Sequence, residues 1–436
     1  MEGMGKQCPG RQNVRFLVIF VAAFSVVFIY TLTGNEKFNE SLLDNLKRFQ
    51  LNAVFRKDST FTSTSGDKTG SAIKESAFLA ASLNNKKRGN FTAVILLTYM
   101  RSGSSLTGEI LQQPNDTFYL FEPLKSIEHI KMKNWSISYL NGTVMANGSF
   151  NLQAVYLENL IGWLTCNFSR VCIESLLDTE FLQYSKKLIP YLKCIDGGGL
   201  GKPSSQRVSF LQSANEVETE QFKKCLQEMR NVCLQSKYRI VKTIRTKMSS
   251  AVEVLQQVAA SKVIHLIRDP RATIESKSHR NVCSSGLNMC IREHCRRVWE
   301  DTEFKERLES SRRFHTVKYE DIASRPIMSA KSMYDFIGMF LTPKITEYVY
   351  DITLGKNKSS CKVCKTRWQI GGTNLSSKSH VDAWKSKLPG KFITSTQRLC
   401  SDVLRYYGYQ NYAVPYTKER KTDKMLRKFP TNNAII

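Results

Sequence analysis

The sequence predicts an α/β fold, a central parallel sheet flanked by helices, standing after an N-terminal transmembrane helix. Three observations carry that prediction. Short apolar runs of strand length recur at Ala93–Thr98 (AVILLT), Arg239–Ile244 (RIVKTI), Val263–Ile267 (VIHLI) and Phe314–Tyr319 (FHTVKY), with helical patterns between them. Two of these runs end in turns that open helices, one rich in Gly and Ser, the other reading Arg-Asp-Pro-Arg. Near the N-terminus, Phe16–Leu32 is a run of 17 residues without a charge, close to the lower limit for a helix that spans a bilayer.

The apolar run at 16–32 reads as an uncleaved anchor. Lys6, Arg11 and Arg15 precede it with only Glu2 opposing, and positive flanks stay on the cytoplasmic side. Residues 1–15 are then a cytoplasmic tail, and all that follows the anchor lies across the membrane in type II topology. A cleaved signal peptide is the rival reading, but the run is long for one and no clear A-x-A site follows. Two features agree with a lumenal setting. Nine N-x-S/T sequons occur, at Asn39, Asn90, Asn115, Asn134, Asn141, Asn147, Asn167, Asn357 and Asn374, four of them between residues 115 and 147. Eleven of the twelve cysteines lie beyond the span, at Cys166, Cys172, Cys194, Cys225, Cys233, Cys283, Cys290, Cys295, Cys361, Cys364 and Cys400, as suits an oxidising compartment. Cys361 and Cys364 form a C-x-x-C with no second pair or histidine cluster at ligand spacing, which favours a structural disulfide over zinc. The odd lumenal count leaves at least one thiol free or bonded to another chain.

Residues 33–89 are polar and rich in Ser, Thr, Asn and Lys, with one amphipathic stretch near Leu42–Phe55. Such composition makes a stem and cannot build a core. The folded domain is expected over 90–414. In it the first strand leads through the Gly/Ser turn to Leu106–Leu111 at helical spacing, and further helices are expected over Val252–Ala260 and Arg292–Leu308. Residues 115–201 are less regular and rich in sequons, and are expected to be surface loops and substrate-facing insertions, with Gly197–Gly201 a loop among them. No internal repeat is present, and 415–436 is a basic C-terminal tail.

Two segments point to anion chemistry. In TYMRSGSSLTGE, Thr98–Glu109, a strand end runs through Arg101, Ser102, Gly103, Ser104 and Ser105 into a helix. Such a turn offers backbone N–H groups and the positive end of a helix dipole, and Gly103 lets an anion approach closely. It lacks the spacing and the lysine of a Walker A loop, so Arg101 supplies the fixed charge. Alone, the turn reads equally as an ordinary helix N-cap. In VIHLIRDPRATIESK, Val263–Lys277, a strand ends at Arg268, Asp269 can cap the next helix and Pro270 suits its first position. Alone, this segment reads equally as a structural corner in which Asp269 pairs with Arg271.

Together the two segments closely resemble the nucleotide-binding motifs of carbohydrate sulfotransferases, in particular the Golgi family that sulfates the 6-hydroxyl of galactose, N-acetylglucosamine or N-acetylgalactosamine. The resemblance covers about residues 92–412 and includes FYLFEP at Phe118–Pro123, VKYEDIASRP at Val317–Pro326, and WKSKL at Trp384–Leu388 before the closing LRYYGY. It implies a P-loop-like sulfotransferase domain that uses 3′-phosphoadenylyl sulfate (PAPS) as sulfuryl donor and calls for no metal. The first motif, Arg101, Ser102, Gly103, Ser104, Ser105, Leu106 and Thr107, would hold the 5′-phosphosulfate. The second, Arg268, Asp269, Pro270, Arg271, Ala272, Thr273, Ile274, Glu275 and Ser276, would hold the 3′-phosphate, with Arg268 and Ser276 at the ligand positions. Glu122 matches the position proposed for the base that takes the hydroxyl proton, and Arg101 with the loop N–H groups is placed to stabilise the leaving oxygen. Without the resemblance, Glu122 reads as a salt-bridging carboxylate. His265, inside an apolar strand, and His129 are weaker candidates. The chain departs from the family pattern at Tyr99 and Met100, where Thr-x-Arg or Thr-Trp-Arg is usual, and at Lys318 and Lys385, where arginine is usual. A point charge there replaces a bidentate fork.

Lys and Arg number 64 against 38 Asp and Glu, a formal charge of +26, which favours anionic partners. The expected partners are a glycan acceptor, acidic glycosaminoglycan of chondroitin or keratan type before a neutral N-acetylglucosamine terminus, and the Golgi membrane through the anchor. A homodimer stays open. Nucleic acid would explain the charge but neither anchor nor sequons. A sugar kinase would need the Walker lysine and an acidic pair for Mg²⁺. Two alternatives stand beside the main reading, a sulfotransferase of another positional class and a lumenal glycan-binding protein that has lost catalysis.

Overall fold

A strand whose successive residues are all apolar must be covered on both faces, and Ala93–Leu97 of the first run is of this kind, each residue fully buried. The computed structural model describes residues 91–146, 150–195, 220–280, 282–308, 312–354 and 377–415. The anchor, the stem, Gly197–Gly201, Cys361, Cys364, the tail beyond Pro415, and the sequons at Asn39, Asn90, Asn147, Asn357 and Asn374 lie outside the described residues.

In chain order the elements that build the site are β1 (Thr92–Leu97), α1 (Ser104–Leu111), β2 (Thr117–Phe121), α2 (Lys125–Met132), a small hairpin of β3 (Ile137–Ser138) and β4 (Val144–Met145), and α3 (Leu152–Thr165). Then follow α4 (Glu220–Gln235), β5 (Tyr238–Thr243), α5 (Met248–Gln257), β6 (Ser261–Ile267), α6 (Pro270–Ser278), α7 (Leu287–Glu306), β7 (Phe314–Lys318), α8 (Pro326–Ile337), α9 (Pro343–Thr353) and α10 (Gly390–Leu399). The main sheet has the order β2-β5-β1-β6-β7, and every neighbouring pair is parallel. The period of two along β1 sorts its side chains onto opposite faces. Ala93, Ile95 and Leu97 join a core with Leu160 and Trp163 of α3, Val254 of α5 and Val298 of α7. Val94 and Leu96 join a second core with Ile110 of α1, Met333 and Tyr334 of α8, and Val349 and Ile352 of α9. Helices thus cover both faces of a parallel sheet, as the alternation of runs predicts.

Residues 115–201 require a correction. Instead of surface loops, their described part holds β2, an edge strand buried along its whole length, and α3, whose Trp163 is fully enclosed. The sequon asparagines Asn115, Asn134, Asn141 and Asn167 are all exposed, but they occupy the connections, and the apolar stretches between them pack inward. β2 shows no alternation because its five residues are buried on both sides, so period-two patterning could not reveal it. Disulfides join Cys166 to Cys233, Cys194 to Cys225, Cys283 to Cys290 and Cys295 to Cys400. Among the described residues Cys172 is the free thiol, and it is buried.

β1 lies between β5 and β6, and the chain reaches these two neighbours on opposite sides of it. Ligands of open parallel sheets bind outside the carboxyl ends of the strands at such a switch point. The carboxyl ends of β2, β5, β1 and β6 carry Glu122, Lys242, Arg101 and Arg268 in that spatial order.

Candidate active site

The turn after β1 is shaped by its own small polar residues. The Ser102 hydroxyl donates to the carbonyl of Tyr99 at 2.6 Å and lies 2.5 Å from the Thr98 hydroxyl. The Ser102 N–H also reaches the Tyr99 carbonyl, at 3.2 Å, which closes the turn. Arg101 then adopts φ 70° and Gly103 φ 90°. A Cβ at Gly103 would come within 2.2 Å of the Tyr319 ring, so both conformation and space demand glycine here. Gly103 opens α1 with no side-chain cap, and the first-turn N–H groups of a helix have no partner inside it. Ser102 and Thr107 face inward, the latter donating to the Gly103 carbonyl at 3.2 Å. Ser104 is also buried, while Ser105 and Leu106 are partly exposed.

The turn after β6 is built differently. Asp269 caps α6 by accepting from the Arg271 N–H at 2.8 Å, and Pro270 follows it at the first helical position. The Arg271 guanidinium returns to the same carboxylate at 2.7 Å, donates to Gln397 Oε1 and the Gln410 carbonyl at 2.8 Å each, and stacks over Trp384. Arg271 is thus bound within the protein and ties α6 to the C-terminal segment. Pro270, Ala272, Thr273 and Ile274 are buried, and Glu275 pairs with His279 at 3.1 Å.

Arg268 and Ser276 of this segment meet the first turn. Arg268 donates to the carbonyls of Arg101 and His380 at 2.9 Å each and lies over the Tyr319 ring. Its Nε is buried and has no partner among the described residues. Arg101 Nε donates to the Ser276 hydroxyl at 2.9 Å. Burial, then the neighbouring Arg280 and Arg268, lower the Arg101 pKa to about 10. The part of that depression that comes from the two arginines is one that a bound anion would relieve. Sequence reasoning missed Arg280, which lies in the turn just past the end of α6, four residues after Ser276.

Glu122 follows β2 directly, with φ 52° and 2% exposure. It pairs with Lys242 at 2.5 Å and with Arg245, and accepts from the Ile244 N–H at 3.4 Å. Arg245 also donates to Glu128 at 2.9 Å. Burial alone would push the Glu122 carboxyl up, but Lys242 and Arg245 outweigh it and hold the group below its ordinary value. Burial lowers the Lys242 pKa, Glu122 opposes that shift, and the field of Arg101 adds to it. Lys242 was read only as part of the strand run at 239–244, and Arg245, just past that run, was not singled out. Their spacing at a strand end beside Glu122 becomes visible only through sheet order.

The remaining candidates sit elsewhere. His265 is enclosed in β6 beside the Tyr99 hydroxyl at 2.8 Å, and burial lowers its pKa to about 3. His129 meets Trp135 edge-on in α2. Lys318 donates to the Tyr407 carbonyl and lies over Tyr409, and Lys385 pairs with Asp382 at 2.8 Å.

Comparison with known proteins agrees with this architecture. Residues 91–408 match the sulfotransferase domain. Carbohydrate sulfotransferase 1 of Danio rerio is 24% identical, covering 74% of this chain and 79% of its own. Carbohydrate sulfotransferase 6 of Homo sapiens is 24% identical over 73% and 80%, and carbohydrate sulfotransferase 3 of Tetronarce californica 25% over 73% and 72%. Among solved structures, the sulfotransferase domain from the Synechococcus PCC 7002 olefin synthase has 16% identity and a TM-score of 0.41, covering 76% of this chain and 98% of that one. Mouse sulfotransferase SULT7A1 complexed with PAP has 11% identity and a TM-score of 0.37, covering 84% and 99%. With the match spanning the whole sheet and the turns after β1 and β6, this chain belongs to the sulfotransferase domain family.

Proposed function

We propose that this sulfotransferase moves a sulfuryl group from PAPS to the 6-hydroxyl of a galactose, N-acetylgalactosamine or N-acetylglucosamine residue, on a glycosaminoglycan or glycoprotein glycan in the Golgi lumen. The observation that carries the reading is the convergence of Arg101, Arg268, Ser276 and Arg280 beside an uncapped helix N-terminus. Those groups fit a donor with two separate anionic ends. The turn presents N–H groups and Arg101, α6 presents Ser276, and Arg268 has a buried donor atom to offer.

PAPS supplies an activated sulfuryl group whose departure leaves negative charge on a phosphate oxygen. The protein's part is to hold, orient and neutralise. Arg101 and the first-turn N–H groups of α1 stabilise negative charge developing beside them. Glu122, kept ionised by Lys242 and Arg245, is the acceptor for the hydroxyl proton; its basicity is weakened by those partners, so it acts only once the hydroxyl has become acidic. Lys242, on the strand between β2 and β1, faces Glu122 and feels Arg101, and so links the proton acceptor to the donor turn. The carbohydrate names of the relatives and the +26 charge support an acidic glycan such as chondroitin or keratan chains. The sequons and cysteines support a lumenal domain held by the anchor at 16–32.

The test is transfer of labelled sulfate from PAPS by the full-length chain in detergent to chondroitin, keratan and N-acetylglucosamine-terminated acceptors. Arg268→Ala and Glu122→Gln are assayed beside it. Transfer that both substitutions abolish is expected and would name the acceptor class. Failure of the unsubstituted chain to bind PAPS would overturn the reading.

A further inference from the structure

Beneath the two loops of the site lies a buried polar network that the proposed chemistry does not use. Tyr99, in the turn after β1, donates its hydroxyl to Asp301 Oδ2 at 3.0 Å. Because that hydroxyl has one proton, its 2.8 Å contact with His265 makes His265 Nε2 the donor. The other Asp301 oxygen accepts from the Met248 N–H at 2.7 Å. Met248 opens α5 and ends the loop after β5, the loop that carries Ile244 and Arg245 against Glu122. One turn earlier on α7, Arg297 donates to the Thr246 carbonyl of the same loop at 3.1 Å and lies 4.0 Å from Asp301. Asp301 is 3% exposed and Tyr99 2%.

We infer that Asp301 is a positioning residue, holding the anion-binding turn through the Tyr99 hydroxyl and the Glu122-binding loop through the Met248 N–H in one fixed relation. The inference rests on the proposed roles of those two loops. A carboxylate suits the task because it accepts from two donors on different segments at once, and burial makes both bonds costly to lose. Sulfuryl transfer needs the hydroxyl, the sulfur and the leaving oxygen in line, so a small relative shift of the two loops lowers the rate without removing any group that touches a substrate.

The test uses the full-length chain with Tyr99→Phe, which keeps the ring, with Asp301→Asn, which keeps an acceptor for Met248, and with both together. Hydrogen exchange is followed at residues 99–105 and 244–248. The expected result is that each single substitution loosens both segments, lowers kcat per folded molecule roughly tenfold at saturating substrates, and adds little when combined with the other. Loosening of one segment alone, or of neither, overturns the coupling. Loosening of both with kcat per folded molecule unchanged overturns the positioning role and leaves a purely structural one. Absence of transfer by the unsubstituted chain would count against the proposed activity, and the exchange data would still decide the coupling.

Discussion

The turns after β1 and β6 look alike in the sequence, each a buried strand breaking through an arginine into a helix, yet they end in opposite states. α1 begins at Gly103 with no side-chain cap. α6 begins with Asp269, whose carboxylate takes the Arg271 N–H and the Arg271 guanidinium. The first helix end has no side-chain acceptor for its donors, whereas the second supplies its own. The groups of the second turn proposed to face the anion are therefore side chains flanking the helix start, Arg268 before it and Ser276 two turns on. Two arginines three positions apart, Arg268 and Arg271, have different fates for the same reason. One keeps a buried Nε without a partner among the described residues, and the other is bonded to Asp269, Gln397 and Gln410. What distinguishes a binding turn from a structural corner is whether the protein itself supplies the counter-charge.

The contrast can be broken by substitution. The largest effect is expected at the closed turn: Asp269→Ala leaves Arg271 buried without its ion pair and should cost about 3–5 kcal/mol of stability in urea unfolding. A loss under about 1 kcal/mol would mean that the corner is not closed by that pair. At the open turn, Gly103→Ala drives a methyl into Tyr319 at a positive φ, and sulfate transfer should fall about 100-fold. Wild-type transfer would show the turn to be more adaptable than its geometry implies. Arg268→Lys keeps the charge but not the paired carbonyl bonds and ring stacking, so the PAPS dissociation constant should rise about tenfold. Equal affinity would move the 3′-phosphate elsewhere. The smallest change is a displacement along the pH axis. Glu122 has its folded pKa lowered by Lys242 and Arg245, so its ionic stabilisation is present at neutral pH and is lost as pH falls through that lowered value. Lys242→Met removes one of the two cations, and the acid limb of the kcat profile should move to higher pH. An unmoved limb would assign it to another group.

Much of this architecture was legible in the chain. The runs at 93–98, 239–244, 263–267 and 314–319 became β1, β5, β6 and β7 within a residue or two at each end. Asp269 and Pro270 announced the start of α6, since capping is a local matter. β2 escaped because the sequons around it suggested surface, although TFYLF stands between Pro114-Asn115-Asp116 and Pro123. Arg280, Lys242 and Arg245 escaped because a cation's importance depends on its neighbours in space.

The sequence by itself determined the class of fold and the two strand–turn–helix arginine segments, which follow from local periodicity, capping and glycine chemistry, whereas Glu122 was singled out only by its match to a family motif. Only the tertiary structure decided that Arg268 meets the carbonyl of Arg101, that Arg271 is tied to Gln397 and Gln410, and that Glu122 is held by Lys242 and Arg245. The physical reason is that counter-charge and burial are set by residues more than a hundred positions away, such as the 120-residue separation of Lys242 from Glu122, and no local pattern records such a distance.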